Sequence, residues 1–213
     1  MPDLSKMRQE YVSKGLHKED LEINPFKQFE KWFNQALEAE LIEPNAFTLS
    51  TVGLDLKPSQ RTVLLKMYDE KGFVFFSNYK SKKSHHIDEN PNVSAHFAWL
   101  GLERQVRIEG KISKISKTAS MKYFLSRPKG SQLGAWVSHQ SQVVNSRSVL
   151  ESKFDEMRKK FSKGEIPFPS FWGGYQIVPT YFEFWQGGLN RLHDRFIYEL
   201  KDDETWDINR LEP

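Results

Sequence analysis

The chain has 213 residues, no cysteine and a formal charge of +3, with 38% hydrophobic and 14% aromatic residues. That is enough apolar material for one packed core, and it argues against disorder over most of the length. It excludes disulfides, thiolate metal sites and a cysteine nucleophile, and a charge this small is far from a polybasic nucleic-acid arm.

Residues 1–23 are polar with few apolar anchors and read as a mobile N-terminal arm. Met1 to Tyr11 has no apolar core segment, so it does not read as a secretion signal, and no run approaches a membrane span. The expectation is a soluble, cytoplasmic protein. Asn24-Pro25 looks like a helix start, with Asn as cap and Pro in the first turn. Phe26, Phe29, Phe33 and Leu37 follow at helical spacing beside Trp32 and Ala36, and this stripe reads as core packing.

Ala46–Gly53 reads as a short strand, and Arg61–Tyr68 as a longer one. Asp69-Glu70-Lys71-Gly72 then makes a turn in which Gly72 can supply a positive φ, and Phe73–Phe76 returns as the partner strand of a hairpin. Ser81 is placed as the cap of a short helix through Asp88. Val93–Trp99 and Arg104–Ile115 are further strands, the second alternating Gln105, Arg107 and Glu109 with Val106, Ile108 and Gly110. Helical patterns cover Lys117–Leu125 and Arg147–Phe161, with Leu150, Phe154, Met157 and Phe161 on one face. Tyr175–Trp185, Arg191–Leu200 and Thr205–Leu211 close the chain as strands. The pattern predicts an α+β chain, an antiparallel barrel with flanking short helices, in one domain over residues 24–213.

The sequence contains neither G-x-G-x-x-G nor a Walker A motif, which disfavours a Rossmann dinucleotide or a P-loop triphosphate. None of the six histidines forms H-E-x-x-H, and the adjacent His85 and His86 read as solvated surface, with no metal expected. Arg61 and Lys66 flank the apolar run Thr62–Leu65. Lys82 and Lys83 open the short helix, where free amides and charge suit a phosphate. On the residues alone, a solvated lysine pair is the favoured reading. Arg191, His193 and Arg195 would share one strand face. An anionic ligand opposite would satisfy them. An exposed strand paired with Asp or Glu is the alternative.

The chain resembles the pyridoxine/pyridoxamine 5'-phosphate oxidase family over nearly its whole length. The resemblance runs through Arg8-Gln9-Glu10-Tyr11, Arg61-Thr62-Val63-Leu64-Leu65-Lys66, Leu102-Glu103-Arg104-Gln105-Val106 and Tyr123-Phe124-Leu125-Ser126-Arg127-Pro128. It continues with Gly134-Ala135-Trp136-Val137-Ser138, Gln140-Ser141, Pro169-Ser170-Phe171-Trp172-Gly173-Gly174, Phe184-Trp185-Gln186-Gly187-Gly188 and Arg191-Leu192-His193-Asp194-Arg195. It implies an antiparallel split β-barrel that binds FMN, working as a homodimer with FMN at the subunit interface. It also implies oxidation of pyridoxamine or pyridoxine 5'-phosphate to pyridoxal 5'-phosphate, with O2 as acceptor and H2O2 as product. No nucleic-acid or membrane partner is implied.

By position, the implied FMN contacts are Arg61, Thr62, Val63, Leu64, Leu65, Lys66, Phe76, Ser77, Lys82, Lys83, Gln105, Gln140, Ser141, Trp185 and Arg195. The implied substrate contacts are Lys66, Tyr123, Arg127, Ser131, Arg191 and His193, with Arg8 and Tyr11 closing over the site as a lid. Arg191 and His193 are the implied catalytic pair, set beside the substrate ring. Lys82 stands where many relatives carry Arg, and Glu43 where Asp is familiar. A flavin reductase of the same fold would have no use for the substrate set, and a pyridoxal phosphate carrier would not turn over.

Overall fold

The computed structural model describes residues 1–7, 10–162 and 164–213. Helix α1 (Pro25–Glu38) starts as its sequence requires: Asn24 Oδ1 accepts the Phe26 amide at 2.8 Å, and Pro25 occupies the first turn, where no amide is needed. Phe26, Phe29, Trp32 and Ala36 are buried. Leu37 is not part of that stripe. It stands one residue, or about 100°, beyond Ala36 around the helix, and is exposed.

The strands among the described residues are β1 (Ala46–Val52), β2 (Pro58–Leu64), β3 (Met67–Asp69), β4 (Gly72–Asn78), β5 (Asn92–Trp99), β6 (Arg104–Lys114), β7 (Trp172–Gln186), β8 (Asp194–Leu200) and β9 (Trp206–Leu211). They form one sheet in the order β2-β1-β5-β6-β7-β4-β3, with β8 pairing β7 and β9. The β3–β4, β4–β7, β7–β8 and β8–β9 pairs are antiparallel. The helices are α1, α2 (Lys82–Glu89), α3 (Lys117–Ser126), α4 (Lys129–Val137) and α5 (Arg147–Lys160). The α+β class and the antiparallel sheet with short helices are as expected.

Three elements differ from the sequence reading. The strand expected over Arg61–Tyr68 is two strands, because the chain leaves β2 at one end of the strand order and enters β3 at the other. At the step Leu65 is buried, and the Lys66 amide donates to Val74 O at 2.9 Å. Helix α4, which no apolar periodicity in the sequence signals, follows Pro128. It buries Leu133, Ala135 and Val137, although Gly130 and Gly134 lower its intrinsic propensity. The strand expected over Arg191–Leu200 begins only at Asp194. Asn190 and Arg191 have φ of 55° and 63°, so this stretch turns and is not extended.

The chain divides into two compact units. The first (1–49, 94–110 and 179–213) has an aromatic core in which Trp32 meets Phe184 edge-on at 5.3 Å and Phe97 contacts both Phe29 and Phe47 at 5.1 Å. The second (50–93 and 111–178) is built on Phe124, Leu133, Ala135, Ile166 and Trp172. Phe154, Met157 and Phe161 of the α5 face pack against that cluster, whereas Leu150 on the same face is exposed. The hairpin β3–β4 turns at Glu70-Lys71 and returns through Gly72, whose φ is +133°.

Candidate active site

A cleft of about 570 Å³ lies in the second unit. β2 supplies Arg61, Thr62, Val63 and Leu64, and the step after it supplies Lys66. Phe76 and Ser77 come from β4, Lys83 from α2, Tyr123 and Arg127 from the end of α3, and Ser131 from α4. Gln140, Pro128 and Trp172 complete the wall. The described lining holds four cations, Arg61, Lys66, Lys83 and Arg127, and no carboxylate. Four cations in a lining without a carboxylate suit an anion.

Burial shows in the titration of these groups. The Lys83 ammonium is pushed down to about 8, first by burial and then by the charge of Arg61. Burial also lowers Arg61 and Arg127 from the usual guanidinium range, and raises the Tyr123 phenol. Lys83 Nζ donates to Ser77 Oγ at 2.9 Å, Gln140 Oε1 at 3.1 Å and Ser81 Oγ at 3.2 Å. These are neutral acceptors, so the charge is solvated without being cancelled.

Arg127 sits at the elbow between α3 and α4. Its carbonyl accepts from the buried Gln132 Nε2 at 2.8 Å, and its guanidinium lies over the Trp172 ring at 4.7 Å. Its Nη1 is buried with no hydrogen-bond partner. A donor left in that state costs about 1–3 kcal/mol unless a ligand accepts from it. Phe76 stacks on Tyr123 at 3.8 Å and on Trp172 at 5.3 Å, giving a flat apolar wall beside the cations. The cleft continues into a recess of about 200 Å³ lined by Arg127, Ser131, Ser138 and Gln140.

The other expected site residues are placed differently. Leu65 is buried and does not line the cleft. Lys82 and Ser141 line a separate cleft of about 460 Å³ with Asp55, Lys80, His85 and Glu89. There Ser141 Oγ accepts the amide of Lys82, the first residue of α2, at 3.2 Å, while the Ser81 side chain at the cap position makes no capping bond. Arg8 lies outside the described residues.

Gln105, Tyr11, Trp185, Arg191, His193 and Arg195 belong to the first unit. Tyr11, Trp185 and His193 form a ring cluster: Trp185–His193 at 4.7 Å, Tyr11–His193 at 5.4 Å and Tyr11–Trp185 at 5.6 Å. The arm is anchored beside it. Val12 and Ser13 amides donate to the Glu103 carboxylate, and the Leu16 amide donates to Asp194 Oδ2 at 2.9 Å. His193 Nδ1 accepts from the Gly188 amide at 3.1 Å, which leaves Nε2 as the other ring nitrogen. Gln105 Oε1 lies 3.0 Å from His96 Nε2.

The expected single strand face for Arg191, His193 and Arg195 does not exist, because only Arg195 is on β8. Arg195 Nε pairs with Glu183 at 2.8 Å, and Arg107 Nη2 pairs with the same carboxylate at 2.9 Å. Arg195 thus has an acidic partner on the neighbouring strand. His86 is a further correction. It is buried, with Nδ1 3.3 Å from Thr51 Oγ1, whereas His85 is exposed. Two cleft residues had no assigned role, Pro128 and Trp172. The run Phe171-Trp172-Gly173-Gly174 was the signal for the second, since an aromatic before two glycines marks close approach of backbone.

Among the described residues no helix is long and apolar enough to cross a membrane. Residues 33–161 match the family model described as pyridoxamine 5'-phosphate oxidase, and residues 172–213 match the pyridoxine 5'-phosphate oxidase C-terminal dimerisation region. A pyridoxine/pyridoxamine 5'-phosphate oxidase of Aliarcobacter butzleri is 67% identical over 99% of this chain and all of its own length, and one of Rippkaea orientalis is 60% identical over the same shares. Among solved structures, PhzG from Burkholderia lata in complex with tetrahydrophenazine-1-carboxylic acid superposes with a TM-score of 0.87 at 26% identity, covering 94% of this chain and 98% of that one. The split-barrel fold class follows from that superposition together with the strand order.

Proposed function

This chain belongs to the pyridoxine/pyridoxamine 5'-phosphate oxidase family, and from that premise we propose that it is an FMN-dependent oxidase of the cytoplasm. It converts pyridoxamine 5'-phosphate and pyridoxine 5'-phosphate to pyridoxal 5'-phosphate, with O2 as acceptor and H2O2 as product. The observation that carries the reading is the cleft with four cations and no carboxylate among its described lining. Both the cofactor and the substrate are phosphate monoesters, and each needs such a set.

The residues present fit FMN. Arg61, half-buried, and Lys83, buried, are neighbouring cations in a described lining that holds no carboxylate, suited to its phosphate. Arg127, with its orphaned Nη1, suits the substrate phosphate together with Lys66, Tyr123 and Ser131. Bound FMN supplies the two-electron acceptor. The protein's part is to hold the substrate by its phosphate, to orient C4' and to exclude water. In this reading Arg191 and His193 stabilise charge at the substrate ring. Gln105, Trp185 and Arg195 contact the cofactor, and residues 1–23, with Arg8 and Tyr11, close as a lid over the domain formed by 24–213. The chain carries a dimerisation region; the assembly proposed is a homodimer with FMN at the subunit interface.

The purified protein is expected to be yellow and to release FMN on denaturation. With pyridoxamine 5'-phosphate it should yield aldehyde and peroxide in equal amounts. A colourless protein that takes up no FMN would sink the proposal, and a flavoprotein that leaves both vitamers unoxidised would make it a reductase.

Lys83 makes the reading pH-dependent. Below about 8 it is charged and holds the cofactor phosphate. FMN affinity is therefore expected to fall as pH rises from 7 through 9.5, and to fall less in Lys83→Gln. The stability contribution has the opposite sign. Between about 8 and the ordinary lysine value of 10.5, the unfolded flavin-free chain binds a proton at Lys83 that the folded chain has lost. On this group's account, stability therefore rises with pH across that window. Flavin titration and urea unfolding of both proteins, at several pH values, check the two signs.

A further inference from the structure

Two side-chain hydroxyls hold the Arg61 guanidinium. Its Nη1 donates to Thr51 Oγ1 at 2.8 Å and its Nη2 to Ser59 Oγ at 2.9 Å. Ser59 is two residues back on β2, hence on the same strand face, while Thr51 comes from β1, next to β2 in the sheet. Two hydroxyls on two different terminal nitrogens fix the plane of the guanidinium without neutralising it. Exposed Ser or Thr hydroxyls make weak restraints, but Thr51 is 1% exposed.

Thr51 is itself held from behind. Having accepted from Arg61, its oxygen still has a hydrogen to give, and His86 Nδ1 lies 3.3 Å away. His86 is buried, and Gly53 lies close beside its ring, where an added Cβ would meet His86 Cδ2 at 3.1 Å and Glu89 Oε2 at 2.5 Å. Glu89 Oε2 in turn accepts the Leu54 amide at 2.9 Å. His86 lies on α2, three residues after Lys83. One helix thus delivers a cation directly to the cleft and, through His86 and Thr51, backs a second cation that approaches from β2.

We propose that Thr51, backed by His86, is a positioning residue: it orients the Arg61 guanidinium toward the phosphate of FMN. This rests on the reading of Arg61 as a phosphate ligand given above. Neither residue touches the cofactor in this proposal. A side chain that only filled space at position 51 would be replaceable by valine, which has nearly the same shape and no hydroxyl. A residue that aims Arg61 would not be.

The test compares FMN with riboflavin, which has the same ring system and no phosphate. Flavin-stripped full-length protein is titrated with each, following quenching of flavin fluorescence. Thr51→Val should weaken FMN binding about tenfold, the scale of one hydrogen bond to a charged group, and should leave riboflavin binding within about twofold. Thr51→Ser should restore FMN binding to near the wild-type value. His86→Leu should show a smaller selective loss, about threefold on the same scale. In an Arg61→Ala background, Thr51→Val should add nothing, because the group it aims is gone.

The proposal is overturned if Thr51→Val weakens both ligands alike, which would be a general loosening, or if it keeps its full effect without Arg61. A His86→Leu protein with unchanged selectivity removes the His86 half. A different pattern marks failure of the underlying reading: wild type prefers neither ligand, and Arg61→Ala alters neither. In that case Arg61 is no phosphate ligand, and the proposal goes with it.

Discussion

Arg127→Ala is expected to raise KM for pyridoxamine 5'-phosphate about 30- to 100-fold while FMN stays bound. The guanidinium is preset: Trp172 supports one face at 4.7 Å, and Gln132 fixes the backbone carbonyl at 2.8 Å. Its Nη1 already lies buried and unpaired, so its desolvation is met before the ligand arrives. A charge-assisted pair of this kind is worth about 2–3 kcal/mol when truncated, and each 1.4 kcal/mol is about tenfold. Lys66, Tyr123 and Ser131 remain in the cleft wall, which keeps the estimate at the low end. Arg127→Lys should recover only part of the loss, since a point charge cannot reproduce the guanidinium's contact over the Trp172 ring or a two-pronged contact. Steady-state kinetics with flavin content measured on the same samples decides it. Loss of FMN with KM unchanged would move Arg127 to the cofactor.

Gly72→Ala is expected to destabilise the protein by about 3 kcal/mol or more, lowering Tm by about 6–12 °C for a chain of this size. Two costs combine. The φ of +133° lies where a side chain is strained, and the new Cβ would overlap the carbonyl oxygen of Ile177. That oxygen is backbone of β7, which pairs with β4, so it cannot swing aside as a flexible side chain would. Gly130→Ala is the control, because a Cβ there meets nothing within 4 Å. In a helix Ala is favoured over Gly by about 1 kcal/mol, so this change should be neutral or stabilising. Thermal unfolding of the two variants checks the contrast, and equal Tm values would contradict it.

Local chemistry made parts of this molecule legible in the sequence. Asn24-Pro25 set the start of α1, and the hairpin through Gly72 could be placed because a positive φ has few tenants. Nonlocal choices were harder to read. Arg61–Tyr68 has one composition throughout, and nothing in it says that the chain changes sheet neighbours at Leu65–Lys66. Helix α4 was hidden by its glycines, since tertiary burial of Leu133 and Val137 outweighs propensity there. The same holds in the site. Arg61, Lys66 and Arg127 could be named from their order along the chain and the resemblance it carries, but the resemblance does not reveal that hydroxyls hold Arg61. His86 looked like surface beside His85 because adjacent helical residues point about 100° apart, and which of the two faces inward depends on what packs there. Arg195 could be seen as a cation, but its partner Glu183 is cross-strand and becomes visible only with the register.

The ends of the strand order bear on how the chain behaves when crowded. A terminal strand offers unpaired amides and carbonyls to any neighbouring polypeptide, the usual seed of fibrils. Here β3 is three residues long, too short to template much. β2 opens on Pro58, which has no amide hydrogen to lend, and presents Gln60 and Arg61 along its length. On the β8 side, β9 carries Asp207 and Arg210, charges that a flat stacked partner would have to bury. Growth of the sheet by a foreign strand is discouraged at each of these borders, and the residues that do this include one that also serves the cleft.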